Sequence, residues 1–264
     1  MNDFIAAALL GLVEGITEFL PVSSTGHLIV AADLLNFRDA GGTFEIVIQL
    51  GAVLAVIVYY ARDLLDQARA LPTSADARRL WLGIALAFVP AAVLGLLFSD
   101  AITRYLFSPV TVAVSLMVGG VVLWWIEGRA FTARTTTLTQ VTPRQALLVG
   151  CAQCLALVPG VSRSASSIIG GLLTGLDRPT ATAFSFYLSI PTLGLATLYA
   201  LVKGREALDS TQFGPLFVGL GVSFATALIV MGWLLRYVSR HDFRGFAVYR
   251  IVAGIAILGW ALWR

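Results

Sequence analysis

Apolar segments separated by short polar connections follow one another along the whole chain. A helix needs about 20 apolar residues to cross a bilayer, whereas segments of about 10–14 residues are typical of re-entrant or buried helices. Shorter segments form two closely coupled pairs, 4–20 with 23–35 and 146–158 with 163–175, each broken by proline and glycine. We interpret each pair as a helical hairpin that enters the membrane and returns. The six other segments are long enough to cross: 43–60, 80–98, 109–126, 180–202, 215–238 and 248–263.

Charged residues are too few to cover a water-soluble protein. They make up 12% of 264 residues, against about 25% in soluble domains, and the mean hydropathy is +0.86. We therefore predict an all-α polytopic membrane protein, a single membrane domain over residues 1–264, with six transmembrane helices plus two re-entrant helical hairpins. The arginines are scattered over short loops rather than gathered on one face, so no nucleic acid partner is expected.

The arginines also predict the orientation of the chain. If the hairpins do not cross the membrane, the connections 61–79, 127–145, 176–179 and 236–250 share one side and hold most of the arginines. The positive-inside rule makes that side cytoplasmic. Both termini are then expected to face the periplasm or outside, with the first hairpin entering from outside and the second from inside.

The two halves of the chain, approximately 1–126 and 140–264, resemble each other. A shift of 139 residues places Glu14 on Gln153 and Ser23 on Ser162. Because three spans lie between the hairpins, the repeats are predicted to have inverted topology. Inverted repeats with broken helices place a site near the membrane midplane where the breaks meet. The residues expected to converge there are Glu14, Glu18, Ser23, Ser24, Thr25, His27, Ser162, Arg163 and Ser164, with Ser166 and Ser167 as further candidates.

The first hairpin carries two carboxylates at helical spacing. Glu14 and Glu18 are four residues apart and share one helix face. Two like charges in an apolar setting need a cation beside them. An arginine or a divalent metal would serve, and carboxylates that bridge to phosphate oxygens favour Mg²⁺ or Ca²⁺. We therefore predict Glu14 and Glu18 as metal ligands.

The second hairpin carries an arginine at the start of its second helix. Arg163 follows Pro159 and Gly160, and an intramembrane arginine costs about 2.5–3.5 kcal/mol on insertion scales. Its fork of donors suits phosphate. Ser162 and Ser164, with the free N–H groups of a helix start, make a cradle for an anion. The alternative is a salt bridge from Arg163 to a glutamate that only joins the repeats.

Ser24 and His27 are a candidate nucleophile and its base. His27 lies three residues beyond Ser24, within reach across one helical turn, and histidine is the usual general base near neutral pH. Ser24 is equally suited to be a helix N-cap, and His27 to be a capping or packing residue. Both alternatives stay open from the residues alone.

Two motifs identify a family resemblance. E-G-I-T-E-F-L-P-V-S-S-T-G-H from residue 14 and P-G-V-S-R-S from residue 159 resemble the undecaprenyl-diphosphate phosphatase family, the bacitracin-resistance proteins of bacterial membranes. The segments T-F-E-I-V-I-Q-L-G-A at 43–52 and A-F-S-F-Y-L-S-I-P at 183–191 are also similar to that family, so the resemblance covers essentially the whole chain.

The resemblance implies hydrolysis of undecaprenyl diphosphate to undecaprenyl phosphate and phosphate. That reaction recycles the lipid carrier of peptidoglycan synthesis, on which cell wall biogenesis and cell shape depend. The resemblance also implies an inner-membrane enzyme with its site on the outer face, dependence on Mg²⁺ or Ca²⁺, and a homodimer. It makes Glu14 and Glu18 the acidic pair, Ser24 and His27 the reactive serine and histidine, and Arg163 the diphosphate-binding residue. Ser167 stands where the family commonly has threonine.

The sequence leaves two questions open. Either Ser24 attacks phosphorus with the help of His27, or a metal-bound water does. The rival function is a secondary transporter or flippase of an anionic lipid, because inverted hairpins with carboxylates at the midplane also describe transporters.

Overall fold

The computed structural model describes residues 2–37, 43–129, 132–204 and 213–263. These residues form eleven α-helices and no strand beyond an isolated bridge between Thr135 and Leu176. The helices are α1 Asp3–Thr17, α2 Ser24–Leu34, α3 Thr43–Tyr59, α4 Ala61–Ala70, α5 Ala75–Leu106, α6 Pro109–Glu127, α7 Pro143–Gln153, α8 Arg163–Leu173, α9 Arg178–Gly204, α10 Phe213–Val238 and α11 Arg244–Trp263.

Among the described residues, five helices are long and apolar enough to cross a membrane, namely α5, α6, α9, α10 and α11. A sixth span arises if α3 and α4, which are bent by 65° to each other, are counted together. Large apolar side chains such as Leu97, Ile229 and Leu262 are more than 70% exposed, as expected of a surface that faces lipid. The predicted class, an all-α polytopic membrane protein, is confirmed. The division into inverted halves stays a prediction.

Both predicted hairpins are present as pairs of short helices separated by a break. The first break lies between α1 and α2, and the second lies between α7 and α8, where a short 3₁₀ turn follows α7. Each break ends on a serine with positive φ, Ser23 at 69° and Ser162 at 77°. These two serines are the pair that the 139-residue shift aligned. A non-glycine residue in this region stores strain of about 1–3 kcal/mol, so the surrounding structure must hold both turns.

Each hairpin is anchored by a spanning helix from the other half of the sequence. Helix α1 packs along α10, and α7 packs along α5. The contacts are backbone to backbone: a Cβ at Gly11 would lie 2.3 Å from the carbonyl oxygen of Gly219, and one at Gly150 would lie 2.4 Å from that of Ala87. Gly11 and Gly15, spaced as in a helix dimer motif, therefore serve packing within the chain. The halves interlock, which brings the two breaks together.

Candidate active site between the hairpin breaks

The two breaks meet through an ion pair. Glu18 follows the last residue of α1, and its Oε1 atom accepts hydrogen bonds from Nε and Nη2 of Arg163, both at 3.3 Å. The Ser164 hydroxyl donates to the carbonyl oxygen of Leu20 at 2.8 Å. Residues that are 145 positions apart in the chain therefore share one site, and the side chains of Glu18 and Arg163 are only 5% and 10% exposed.

A cavity of about 160 Å³ opens beside this ion pair. Most of its polar wall comes from residues that the sequence singled out, including Ser23, Ser24, Thr25 and Ser162. Gln49 of α3 also lines it, and sequence reasoning missed that residue although it is a lone amide in an apolar helix. A salt bridge that only joined the two repeats would not need a hydroxyl-lined cavity at its side.

Arg163 is held from behind by α9. Its Nη1 atom donates to the carbonyl oxygen of Ser185 at 3.0 Å and lies 3.4 Å from the hydroxyl of the same residue. Ser167 donates to the Ser185 hydroxyl at 2.7 Å, so Ser167 supports the arginine's partner and does not line the cavity. The Phe19 ring lies 5.8 Å from the guanidinium carbon. These contacts fix the fork of the guanidinium before any ligand is bound.

Ser24 is paired with a carboxylate. Its hydroxyl donates to Oε2 of Glu18 at 2.6 Å, so the serine is not used as an N-cap. Glu18 thus contacts Ser24 with one oxygen and Arg163 with the other. Ser162 differs, because its hydroxyl accepts the backbone N–H of Ala165 at 3.2 Å and caps α8. The geometry therefore gives Ser24, and not Ser162, a base.

His27 has partners other than the one expected. Its Nδ1 atom lies 2.7 Å from the carbonyl oxygen of Ser23 and its Nε2 atom lies 2.6 Å from the Tyr249 hydroxyl. A carbonyl only accepts, so Nδ1 carries the proton and Nε2 accepts from tyrosine when the ring is neutral. The predicted pairing of His27 with Ser24 is replaced by the pairing of Ser24 with Glu18. The carboxylate at the end of α1 competes successfully for the serine hydroxyl.

Glu14 is buried without a hydrogen bond. It is 1% exposed, and neither carboxylate oxygen has a partner among the described residues. No group of three or more histidine, cysteine or acidic side chains in that part of the chain is arranged to hold a metal. The open oxygens of Glu14 still fit Mg²⁺, which keeps several waters and takes the rest of its ligands from substrate phosphate. Both oxygens of Glu18 are bonded, one to Ser24 and the other to Arg163. The metal itself stays a prediction.

Sequence reasoning placed Arg250 wrongly. It assigned this residue to the arginine-rich connection 236–250, but Arg250 lies inside α11 and is fully buried. The guanidinium donates to backbone carbonyls of both breaks, including those of Pro21 and Val161. The only sign in the sequence is that Arg250 directly precedes an apolar segment. An arginine in that position is as typical of the end of a membrane span as of a buried contact.

The fold and the site together define a class of protein: a polytopic membrane protein with a charged, hydroxyl-lined site enclosed between two broken hairpins. An arginine, a carboxylate and serines at two helix starts are suited to a phosphate group. The chain belongs to the bacitracin resistance protein BacA family, whose model matches residues 7–256.

Relatives extend the match over nearly the full length. A protein of Deinococcus radiodurans named undecaprenyl-diphosphatase is 53% identical, over 97% of this chain and 94% of its own length. Proteins of the same name from Albidiferax ferrireducens and Pseudomonas fluorescens are 51% and 47% identical, each over 97% of this chain and 95% of its own length. The family resemblance carried by the two motifs is thereby confirmed.

Proposed function

We propose that this protein is an integral membrane phosphatase that hydrolyses undecaprenyl diphosphate to undecaprenyl phosphate and inorganic phosphate. Such hydrolysis recycles the lipid carrier for cell-wall synthesis and gives resistance to bacitracin. The observation that carries the proposal is the contact of Glu18 with both Ser24 and Arg163 at the edge of one cavity. The names of relatives that are about half identical in sequence support it independently.

The arrangement favours Ser24 as the attacking group. Its oxygen would attack the terminal phosphorus while its proton passes to Oε2 of Glu18, which already accepts that proton's hydrogen bond at 2.6 Å. The P–O bond to undecaprenyl phosphate would break, and the proton on Glu18 would pass to that leaving phosphate, which restores the carboxylate. Water would then attack the phosphoserine and give a proton to Glu18, and that proton would return to the Ser24 oxygen as phosphate leaves. Arg163 would turn its donors from Glu18 to the phosphate oxygens, where fixed positive charge stabilises the charge of the transition state.

A divalent metal would be held by Glu14 and Glu18, and its chemistry would be to neutralise phosphate oxygens. The orphaned oxygens of Glu14 support this assignment. His27 would act on the orientation of the α2 start through its bond to the Ser23 carbonyl. We further propose that the protein lies in the bacterial inner membrane as a homodimer, with both termini and the site facing the periplasm, as the arginine-rich connections suggest.

Release of inorganic phosphate from undecaprenyl diphosphate by detergent-purified protein tests this function. We expect release with Mg²⁺ or Ca²⁺ and its loss with EDTA. Protein that binds the lipid without releasing phosphate, under any metal, would contradict the proposal.

Lipid transport is a second candidate function, and the interlocking of the hairpins with helices of the other half favours it. Movement of a labelled lipid diphosphate between leaflets of proteoliposomes would reveal it. A Ser24→Ala protein that still moves lipid would show that transport does not depend on hydrolysis at this serine.

A further inference from the structure

The buried guanidinium of Arg250 touches both hairpin breaks. Its Nη1 atom donates to the carbonyl oxygen of Pro21 at 3.0 Å, in the first break. Its Nη2 atom donates to the carbonyl oxygens of Gly160 and Val161 at 3.2 Å and 2.9 Å, in the second break. The other acceptors are the carbonyl oxygens of Ser115 and Leu116 in α6, both at 3.4 Å.

These carbonyls lie directly before the residues of the site. Pro21 is three residues before Ser24, and Val161 is two residues before Arg163. Carbonyl oxygens in a helix break accept no hydrogen bond from a helical N–H group, so each needs another donor when it is buried. Arginine presents five donors in a rigid plane, whereas lysine presents three on one nitrogen. One guanidinium can therefore join both breaks in a way that an ammonium cannot.

The neighbouring helix is shaped to admit this side chain. At Gly119 of α6, an added Cβ would lie 2.1 Å from Nη2 of Arg250 and 2.8 Å from its guanidinium carbon. Helix α6 packs along α11 over its length, so the guanidinium has no free space to turn into. Burying an arginine at this depth is costly, and the acceptors that the described residues offer it are all backbone carbonyls rather than a carboxylate.

We propose that Arg250 is a positioning residue of the active site. Its bonds to Pro21 on one side and to Gly160 and Val161 on the other fix the two breaks relative to each other. This alignment keeps Glu18 in contact with both Arg163 and Ser24 at the edge of the cavity. The inference rests on the proposed function, since it assumes that the reaction takes place there. It predicts that loss of Arg250 impairs turnover more than binding of the lipid.

Steady-state kinetics of four purified variants test the role. Because a displacement of about 1 Å can cost about 100-fold in rate, we expect Arg250→Met to lower kcat about 100-fold while KM changes less than about threefold. Arg250→Lys keeps the charge but not the fork, so we expect an intermediate loss of about 10-fold. Gly119→Ala keeps the arginine and displaces it, and we expect a loss of kcat of about 10-fold or more.

Arg178→Met is the matched control, because it removes an arginine that joins α9 to Glu127 of α6, and neither residue lines the cavity. We expect it to lower the melting temperature but to keep kcat within about twofold of the parent. The proposal is overturned if Arg250→Met and Gly119→Ala both retain parental kcat. It is also overturned if kcat falls equally in Arg178→Met at an equal loss of melting temperature, or if neither test variant folds.

The proposed function and this inference fail separately. Normal activity of the Arg163→Ala protein would contradict the proposed active site itself. An inactive Arg163→Ala protein together with a fully active Arg250→Met protein would support the proposed active site and contradict only the positioning role of Arg250.

Discussion

The two hairpin breaks share one backbone design and carry opposite chemistry. Ser23 and Ser162 adopt similar positive φ angles, yet the first break presents the carboxylate of Glu18 and the second presents the guanidinium of Arg163. At a further aligned pair, Glu14 corresponds to Gln153, and both side chains are buried without a hydrogen-bond partner among the described residues. Two turns of similar backbone conformation thus carry different side chains, which make one of them acidic and the other basic.

This difference shows why neither break is a site by itself. The first break has the proposed nucleophile and its proposed base, but it has a surplus of negative charge that would repel a phosphate. The second break has the cation and the helix start but, at Ser162, a hydroxyl already used as a cap. Only where the two breaks are in contact would a phosphate group find both an attacking oxygen and a positive charge that compensates its own negative charge.

The proposed mechanism takes the reacting oxygen from the first break, and Ser24→Ala should therefore have the largest effect. We expect phosphate release to fall by at least about 10,000-fold, as when a serine hydrolase loses its nucleophile. Labelled phosphate should be trapped on the parent protein after an acid quench and be absent from the variant. Ser166→Ala, which removes only a hydroxyl that donates to the carbonyl oxygen of Ser162 and does not line the cavity, should keep activity within a few-fold of the parent. Failure to trap label in the parent would favour attack by water.

In the proposed mechanism the second break supplies the positive charge of Arg163, and Arg163→Ala removes that charge. We expect a loss of about 1,000-fold, since removal of one fixed donor in a dry site costs about 100- to 1,000-fold. Arg163→Lys should recover little of it, because an ammonium cannot contact Glu18 and Ser185 at once. Arg178→Ala serves as the folded control. Near-normal phosphate release by purified Arg163→Ala would remove this residue from the mechanism.

The aligned pair Glu14 and Gln153 tests where the metal is held. Removing the free carboxylate in Glu14→Gln should raise the Mg²⁺ concentration for half-maximal activity at least about 10-fold, as loss of a coordinating group does. Gln153→Ala, at the equivalent position of the other hairpin, should leave the metal titration unchanged. Equal titrations for the parent and Glu14→Gln would exclude Glu14 from the metal site.

The smallest effect is expected at the edge of the first break. Tyr249→Phe removes the hydroxyl that lies 2.6 Å from Nε2 of His27 but keeps the stacked ring. One hydrogen bond of this kind contributes about 1 kcal/mol, so we expect a change of kcat of only a few-fold. His27→Ala should cost more, because it also frees the Ser23 carbonyl. A Tyr249→Phe variant as inactive as Ser24→Ala would give the tyrosine a direct role.

Much of the fold could be predicted because apolar length and helix breakers are local properties. The apolar segment 109–126 corresponds to α6 at Pro109–Glu127, and 163–175 corresponds to α8 at Arg163–Leu173. The segment 80–98 is shorter than α5, which extends from Ala75 to Leu106. Ser74 caps this helix at its N-terminus, and Pro90 lies in its interior. Helix α4 was missed, since its polar face made 61–70 resemble a loop.

The sequence by itself determined which segments are apolar, where two helices break and which polar residues stand at the breaks. Only the tertiary structure decided the partners. Glu18 and Arg163 are 145 residues apart, and Arg250 and Pro21 are 229 residues apart, so no local pattern could pair them. Spacing alone also predicted that His27 pairs with Ser24. In the structure Glu18 bonds to the serine and Tyr249 bonds to the histidine. Helix formation depends on neighbours in the chain, but a buried charge takes whichever partner packing brings to it.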